Sequence, residues 1–450
     1  MTNSLKGFSR RNVLKGGLAG IVATGVAPVF FTRGAYAQEF CNAPTGDTVT
    51  LGLNMPLTGA YADEGADQQR AYELAIEHLN GGGDGGMVPT FSSKTLTGNG
   101  ILGKKVAFVT GDDQTKADAG RDSARRMIER DGAVMITGAS SSAVAIAEQA
   151  LCQEMGVIYM AGLTHSNDTT GKDKKRYGFR HFFNAYQSGI ALGPVLGEAY
   201  GKDRVAYHLT ADYTWGWTQE ESMIQATEAL GWKTLTPVRT PVGAGDFSQY
   251  ITPFLNSGAD VLVLNHYGFD GVNSITQAVQ FGLRDRQANG KNVEIVLPLV
   301  SDLMAKGAGE AIRGVYGTAN WDWQLTDEAS KAFTKSFGAK YGQPPSQIAQ
   351  TSYVQVLLYA DAVERAGTFY PPEVIKALEG YEFDGLGNGP TLYRAEDHQC
   401  FKDVYVVKGK EAPANPYDLL EVVGTASRES VTYDPAIFGG ELGPDTPAAC

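Results

Sequence analysis

Short apolar runs and amphipathic segments follow one another along most of this chain. Residues 133–137 and 157–161 are apolar runs of the kind found in buried parallel strands. Between them, apolar residues recur at helical spacing at Val144, Ala147, Leu151 and Met155. The pattern predicts a strand, a helix and a second strand, and therefore an α/β fold with a parallel sheet covered by helices.

The same alternation is predicted on both sides of this unit. Further strands are expected at 48–54, 105–110, 205–209, 233–238, 261–264, 293–297, 314–320, 403–408 and 419–423, and further helices at 271–282, 329–341, 348–366 and 372–380. Residues 98–103 have the glycine spacing of a dinucleotide site, but they precede a strand instead of following one, so no cofactor is expected there. A chain of this length exceeds a single core, and two lobes are therefore expected.

Two polar turns follow the strands of the central unit. In open α/β sheets, ligands bind at the carboxyl ends of the strands, and here those turns are residues 138–142 and 162–166. Ser140, Ser141 and Ser142 stand where the helix begins, so free backbone N–H groups and hydroxyls there favour an anionic or strongly polar ligand group. The alternative is that one serine simply caps the helix.

The first 37 residues have the three parts of an export signal. Ser9-Arg10-Arg11-Asn12-Val13-Leu14-Lys15 resembles the twin-arginine motif, an apolar segment follows, and Ala35-Tyr36-Ala37 ends in small residues suited to a signal peptidase. Cleavage after Ala37 and a periplasmic location are expected. The formal charge is −12, and the five basic residues of the leader leave −17 for the rest, which argues against nucleic acid as a partner.

The chain has four cysteines, Cys41, Cys152, Cys400 and Cys450. They suit an oxidising compartment, and no two have the close spacing of a metal site or a redox motif. Cys41 and Cys450 lie near the mature ends, so a disulfide that anchors at least one terminus is expected, with the pairing left open. Cys152 lies on the inward side of a helix and is equally explained as a small buried residue.

Several motifs in order resemble one family. They are Pro56-Leu57-Thr58-Gly59, Asp112-Asp113, 131–134, 138–142, Asp246-Phe247-Ser248 and 260–263. Together they resemble the periplasmic ligand-binding receptors of the leucine/isoleucine/valine-binding type, which supply solutes to ABC importers. The resemblance implies the type I periplasmic binding protein fold, in which two Rossmann-like lobes are joined by a three-segment hinge and hold the ligand between them.

The resemblance also implies lobe boundaries. Lobe 1 would comprise residues 46–181 and 320–391, lobe 2 residues 182–319 and 392–425, and residues 426–450 a C-terminal tail. The lobes would close on the ligand about crossings near 180–184, 319–321 and 389–394.

Turns at strand ends supply the candidate ligand-binding residues. They are Tyr61, Ser141, Ser142, Leu163, Thr164 and His165 in lobe 1, and Tyr213, Trp215, Tyr267 and Leu299 in lobe 2. The resemblance places Ser142, Leu163 and His165 where the family binds the ligand carboxylate, and Trp215 and Tyr267 where aromatic rings cover it. The alternative is that His165 is a solvated turn residue and that the aromatic residues only pack their lobe.

Leu299 departs from the family pattern. The resemblance places it where amino-acid binders have a carboxylate for the ligand ammonium, a cation that is costly to bury unpaired. Either Asp302 or Asp270 takes over that role, or the ligand is not a plain α-amino acid. We favour a small solute that bears a carboxylate or an amide, with amino acids as the second choice.

These features favour a monomeric solute-binding component of an ABC importer, with a permease and an ATPase as partners. A sensor that presents its ligand to a chemoreceptor or regulator is the alternative. A hydrolase is disfavoured because the serines lack the glycine-flanked elbow spacing and the six histidines lack metal-ligand spacing, so neither enzymatic activity nor a metal is expected.

Overall fold

The computed structural model describes residue 40 and residues 42–445. The first elements are β1 (Thr48–Met55), α1 (Ala62–Leu79), β2 (Lys105–Asp112), α2 (Ala117–Glu129), β3 (Met135–Gly138), α3 (Ser142–Met155), β4 (Ile158–Ala161) and β5 (Gly178–Arg180). Next come α4 (Ala185–Tyr200), β6 (Val205–Ala211), α5 (Thr214–Glu228), β7 (Lys233–Thr234), β8 (Val238–Thr240), α6 (Ser248–Phe254), β9 (Val261–Asn265), α7 (Gly268–Gln280), β10 (Gln287–Ala288), β11 (Lys291–Asn292), β12 (Glu294–Leu299), α8 (Asp302–Ala308) and β13 (Tyr316–Ala319). The last are α9 (Glu328–Tyr341), α10 (Gln347–Ala366), α11 (Pro371–Leu378), β14 (Glu382–Phe383), β15 (Thr391–Tyr393), β16 (Cys400–Phe401), β17 (Val404–Gly409) and β18 (Leu420–Ala426).

Lobe 1 is built on a parallel sheet of order β2-β1-β3-β4-β5. One face packs against α1, α9, α10 and α11, and the other against α2 and α3. Because both faces are covered, β3 and β4 are buried at every position, which explains their continuous apolar runs. The predicted parallel-sheet core is confirmed.

Lobe 2 is built on a second sheet of order β18-β17-β13-β12-β9-β6-β7, with β8 also paired to β6. Strands β6, β7, β8, β9, β12 and β13 run parallel, whereas β17 and β18 are antiparallel additions at one edge. The predicted strand at 233–238 is therefore wrong as a single element, because the chain forms two short strands there. In both sheets the carboxyl ends of the parallel strands supply the loops of the cleft.

Helix α4 was not predicted because its sequence contains three glycines and Pro194. Gly189, Gly193 and Gly197 lie on the face that packs against α5. A Cβ atom at Gly189 would stand 2.7 Å from the carbonyl oxygen of Ser222, so the two helices can approach this closely only without a side chain there. The glycines that suggest a loop in sequence are packing residues in the structure.

The chain passes between the two cores three times before its tail. It leaves lobe 1 after β5 and returns after β13, near the expected crossings. At the third passage, Tyr393 and Cys400 still pack in the lobe 1 core, and Val404 is in the lobe 2 core. The chain therefore crosses at 401–404, later than the expected 389–394, because the small antiparallel sheet β14-β15-β16 keeps this segment on lobe 1.

The C-terminal segment from 427 to 445, which we call the strap, runs from lobe 2 back to lobe 1. It starts at the end of β18, and Val431 and Tyr433 are buried along it. Tyr433 accepts a hydrogen bond from Asn184 Nδ2 at 2.6 Å. The strap ends on lobe 1, where Tyr177 donates to the Asp445 carbonyl at 2.7 Å. It thus forms a fourth connection between the lobes.

The leader and two of the cysteines fall outside the described residues. These are residues 1–39, Cys41 and Cys450, so the expected leader and terminal disulfide stay predictions. Cys152 and Cys400 are buried free thiols. None of the helices within the described part of the chain is long and apolar enough to cross a membrane.

A buried carboxyl near the cleft makes stability depend on pH. Burial raises the pKa of Glu64 to about 8, with Asp63 and Asp67 adding to the effect. Because the pKa of Glu64 is higher in the folded than in the unfolded protein, its ionisation destabilises the fold. This loss of stability is full above about pH 8 and disappears as the pH falls. We expect Glu64→Gln to raise the free energy of unfolding by roughly 2–4 kcal/mol at about pH 8.5, and by much less at about pH 5, as measured by urea denaturation.

The control is Asp122→Asn, since Asp122 is exposed on α2 and is not among the charges that act on Glu64. An equal gain for Glu64→Gln at both pH values would contradict the prediction. The comparison must be made against wild type at each pH, because burial also lowers the pKa of His165, His208 and His266 to about 3. In the unfolded chain these histidines bind protons below about pH 6.5, whereas in the fold they stay neutral. This lowers the stability of wild type and of every variant alike.

Candidate functional site

A small cavity, with a free volume of about 10 Å³, lies between the lobes. It is lined by Ser140, Ser142, Leu163, His165, Tyr213, Trp215, Tyr267 and Leu299. Seven of these eight residues were predicted from the sequence. The lobe 1 residues follow β3 and β4. In lobe 2 the aromatic residues follow β6 and β9, and Leu299 is the last residue of β12, so both sheets present their carboxyl ends to the same space.

Three predicted residues lie beside the cavity and do not line it. The Tyr61 hydroxyl is 2.8 Å from the Tyr213 hydroxyl of lobe 2, so Tyr61 belongs to the closed rim. Ser141 is the residue that precedes α3. Thr164 is also outside the lining, and its hydroxyl is buried without a partner. Ser140 takes the lining position, because Ala139, with a φ of 60°, turns the chain sharply before the helix.

The capping explanation for the serines fails in the structure. The Ser141 side chain makes no capping hydrogen bond, so its hydroxyl oxygen accepts none from the first N–H groups of α3. The Ser142 hydroxyl oxygen instead accepts from the backbone N–H groups of His165 at 3.2 Å and Ser166 at 3.1 Å. A hydroxyl has two acceptor positions and one hydrogen, so Ser142 has only its hydrogen left to donate. Together with Ser140, whose hydroxyl is unpartnered, it forms a donor subsite for an acceptor group.

His165 is a buried, neutral imidazole. Its Nδ1 lies 2.8 Å from the carbonyl oxygen of Phe183. A carbonyl only accepts, so Nδ1 bears the hydrogen and Nε2 has the lone pair. Burial, and secondarily the charge of Arg180, lower the pKa of His165 to about 3. Nε2 has no hydrogen-bond partner and can accept one from a ligand.

Arg180 places a positive charge directly behind the lobe 1 wall. Its guanidinium donates to the carbonyl oxygens of Thr164 and Ser166 and, at 2.6 and 2.8 Å, to Gln399 Oε1. Arg180 is fully buried, and no carboxylate of the described residues forms an ion pair with it. An unpaired buried cation lowers the electrostatic cost of bringing an anion into the neighbouring cavity.

No carboxylate lines the cavity at Leu299 or elsewhere. Asp270 accepts from the Gly243 N–H at 2.8 Å, and burial raises its pKa to about 6. Asp302 lies at the start of α8, where it lines a different depression with Lys306 and Tyr417. Neither candidate replacement therefore lines the space in which a ligand ammonium would lie.

The lobes meet on both sides of the cavity. Ser166 Oγ lies 3.0 Å from Thr214 Oγ1, and the Asn167 N–H donates to Thr218 at 3.2 Å. On the far side, Gln347 Nε2 donates to the Val300 carbonyl at 2.7 Å. These contacts hold the two lobes together around the cavity. Within the described residues, neither ring nitrogen of His165 bonds a serine hydroxyl.

Comparisons with known proteins agree with this architecture. The chain matches the periplasmic binding protein family model over residues 48–414. It is 26% identical over 343 residues to the Leu/Ile/Val-binding protein homolog 1 of Brucella abortus (strain 2308), an alignment covering 74% of this chain and 82% of that protein. A periplasmic binding protein from Burkholderia mallei, solved by crystallography, has a TM-score of 0.76 and 25% identity, covering 86% of this chain and 96% of that one.

A more distant fold relative was solved with a ligand. The ABC transporter solute-binding protein of Rhodopseudomonas palustris BisB5, in complex with 3,4-dihydroxybenzoic acid, has a TM-score of 0.72 and 20% identity, covering 85% of this chain and 98% of that one. The family match spans most of the chain, and the two-lobed fold and interlobe cavity agree with it. The chain therefore belongs to the periplasmic binding protein family, whose members bind small-molecule ligands as substrate-binding components of ABC transporters.

Proposed function

We propose that this protein captures a small solute bearing a carboxylate and delivers it to an ABC importer. The observation that supports this most is the Ser142 hydroxyl, which accepts two backbone N–H groups and so has only a hydrogen to offer the cavity. The N-terminus of α3 and the buried Arg180 add positive potential on the same side. An anionic group is the natural occupant.

The volume of the cavity supports a small ligand. The free volume of about 10 Å³ is about that of one water molecule, so a ligand can enter only when the lobes open. The uncharged lobe 2 wall, with Leu299, Trp215 and Tyr267, supplies apolar contact and no partner for an ammonium group. The ligand is then a carboxylate without an α-ammonium, in contrast to the amino acids named for the Brucella relative.

Export and partners complete the proposal. The twin-arginine leader would direct the chain to the periplasm and be removed after Ala37, and the mature protein would act there as a monomer without catalysis. A membrane permease and its ATPase would receive the solute. We propose the lobe boundaries stated above, apart from the later third crossing, and closure about the crossing segments when ligand binds.

A matched ligand pair tests this proposal. Leucine and 4-methylpentanoate differ only in the ammonium group, so we expect 4-methylpentanoate, and not leucine, to raise the melting temperature of the mature protein in a thermal-shift assay. A ligand at 100 times its dissociation constant adds about 2.7 kcal/mol of stability. Ser142→Ala should abolish the shift, whereas Ser430→Ala, at an exposed position, should keep it.

Tight binding of leucine, unchanged in Leu299→Ala, would refute the proposal that the ligand lacks an α-ammonium group. The protein would then be an amino-acid binder that pairs the ligand ammonium by another route.

A further inference from the structure

Two neighbouring rings that line the cavity each have one buried polar atom without a partner, and the two atoms are of opposite type. His165 Nε2 is an acceptor, since its Nδ1 hydrogen is used at the Phe183 carbonyl. Trp215 Nε1 is a donor only, and it too has no partner. The two ring centroids are 6.5 Å apart, and both side chains line the cavity with at most 2% of their surface exposed.

We propose that this pair selects a ligand whose second polar group is a primary amide or a hydroxyl. The inference rests on the proposed function, in which the serines of lobe 1 take the carboxylate. It assigns His165 and Trp215 as specificity-determining residues for the remainder of the ligand.

The argument is one of donor and acceptor matching. A hydroxyl or a primary amide can donate to His165 Nε2 and accept from Trp215 Nε1 at once. A second carboxylate would satisfy the tryptophan but oppose the lone pair of the imidazole, and an ammonium would do the reverse. A plain alkyl group would leave both atoms buried and unpaired, which costs about 1–3 kcal/mol for each.

The surroundings of the imidazole keep it an acceptor. Arg180 lies behind it, and Phe182 and Phe183 pack against its ring at centroid distances of 5.7 and 4.4 Å. Gln219 is the other polar neighbour, and both polar atoms of its buried amide are unpartnered. An amide has both a donor and an acceptor end, so Gln219 does not by itself fix the polarity of this wall.

Four probes that share a butyrate skeleton test the inference by isothermal titration. Butyrate has no second polar group, 4-hydroxybutyrate has a hydroxyl, succinamate has an amide, and succinate has a second carboxylate. We expect the mature protein to bind 4-hydroxybutyrate and succinamate at least about ten-fold more tightly than butyrate and succinate, a ratio equivalent to about 1.4 kcal/mol.

Two ring-preserving variants link this preference to the two atoms. His165→Phe removes the acceptor and Trp215→Phe removes the donor, and each should reduce the ten-fold preference to less than about three-fold while butyrate still binds. Circular dichroism confirms folding, and Trp217→Phe, at an exposed position on the same helix as Trp215, should keep the preference.

The outcomes separate this inference from the proposed function. If butyrate or succinate binds as tightly as the hydroxyl and amide probes, the selection by His165 and Trp215 is refuted while carboxylate capture stands. If the preference persists in both ring variants, it does not come from these residues. If none of the four probes binds, both proposals fall for ligands of this size.

Discussion

Replacing Arg180 by methionine is expected to lower the free energy of unfolding by about 3 kcal/mol or more. The guanidinium joins the loop after β4 to Gln399, just before the third crossing, through the Thr164 and Ser166 carbonyls and the Gln399 side chain. Methionine fills similar space but leaves these buried acceptors without donors, and each orphaned acceptor has a cost of about 1–3 kcal/mol. Urea denaturation of the mature protein measures the change.

The same substitution should weaken binding of 4-methylpentanoate at least about ten-fold, because the positive charge behind the cavity is lost. Arg180→Lys keeps the charge but not the planar fork, so it should lose stability and retain part of the affinity. Arg126→Met, at an exposed site on α2, serves as the control and should change stability by less than about 0.5 kcal/mol. Equal stability of Arg180→Met and wild type would contradict the assigned role.

Removing the strap is expected to cost about 4 kcal/mol or more of stability. Truncation after Ser427 deletes Val431 and Tyr433, which are both buried. The Tyr433 ring packs against Phe401 at a centroid distance of 5.2 Å and under the Arg394 guanidinium at 4.7 Å, so its loss uncovers the crossing segments. Thermal and urea unfolding of the truncated protein measure the cost.

A second truncation after Asp445 is the matched control. Both truncated proteins lack Cys450, so any disulfide made by that residue is lost from each, and only the strap differs between them. The protein truncated after Asp445 keeps the strap. If the strap contacts dominate, we expect it to unfold close to wild type. Equal destabilisation by both truncations would show that the last five residues, and not the strap, stabilise the protein.

The sequence pattern predicted the residues that line the cavity more accurately than it predicted the helices and turns around them. Strand ends in parallel sheets converge on one edge, so residues such as Ser142, His165, Trp215 and Tyr267 could be grouped from the sequence before any contact was known. Helix α4 was missed because propensity counts glycine as a breaker, whereas close packing on α5 requires it. The sequence predicted Ser141 and not Ser140 as a ligand-binding residue. The positive φ angle at Ala139, which turns the chain before the serines, has no signal in the sequence.

By itself, the sequence determined the alternating strands and helices, the parallel cores and the edge at which a ligand would lie. These follow from hydrophobic periodicity, which is local and so is encoded position by position. Only the tertiary structure decided what depends on residues far apart in the chain: the burial of Arg180 against Gln399, the hydrogen left on Ser142, the tautomer of His165 and the course of the strap. Each is a hydrogen bond or contact between distant segments, and periodicity contains no information about which distant partners meet.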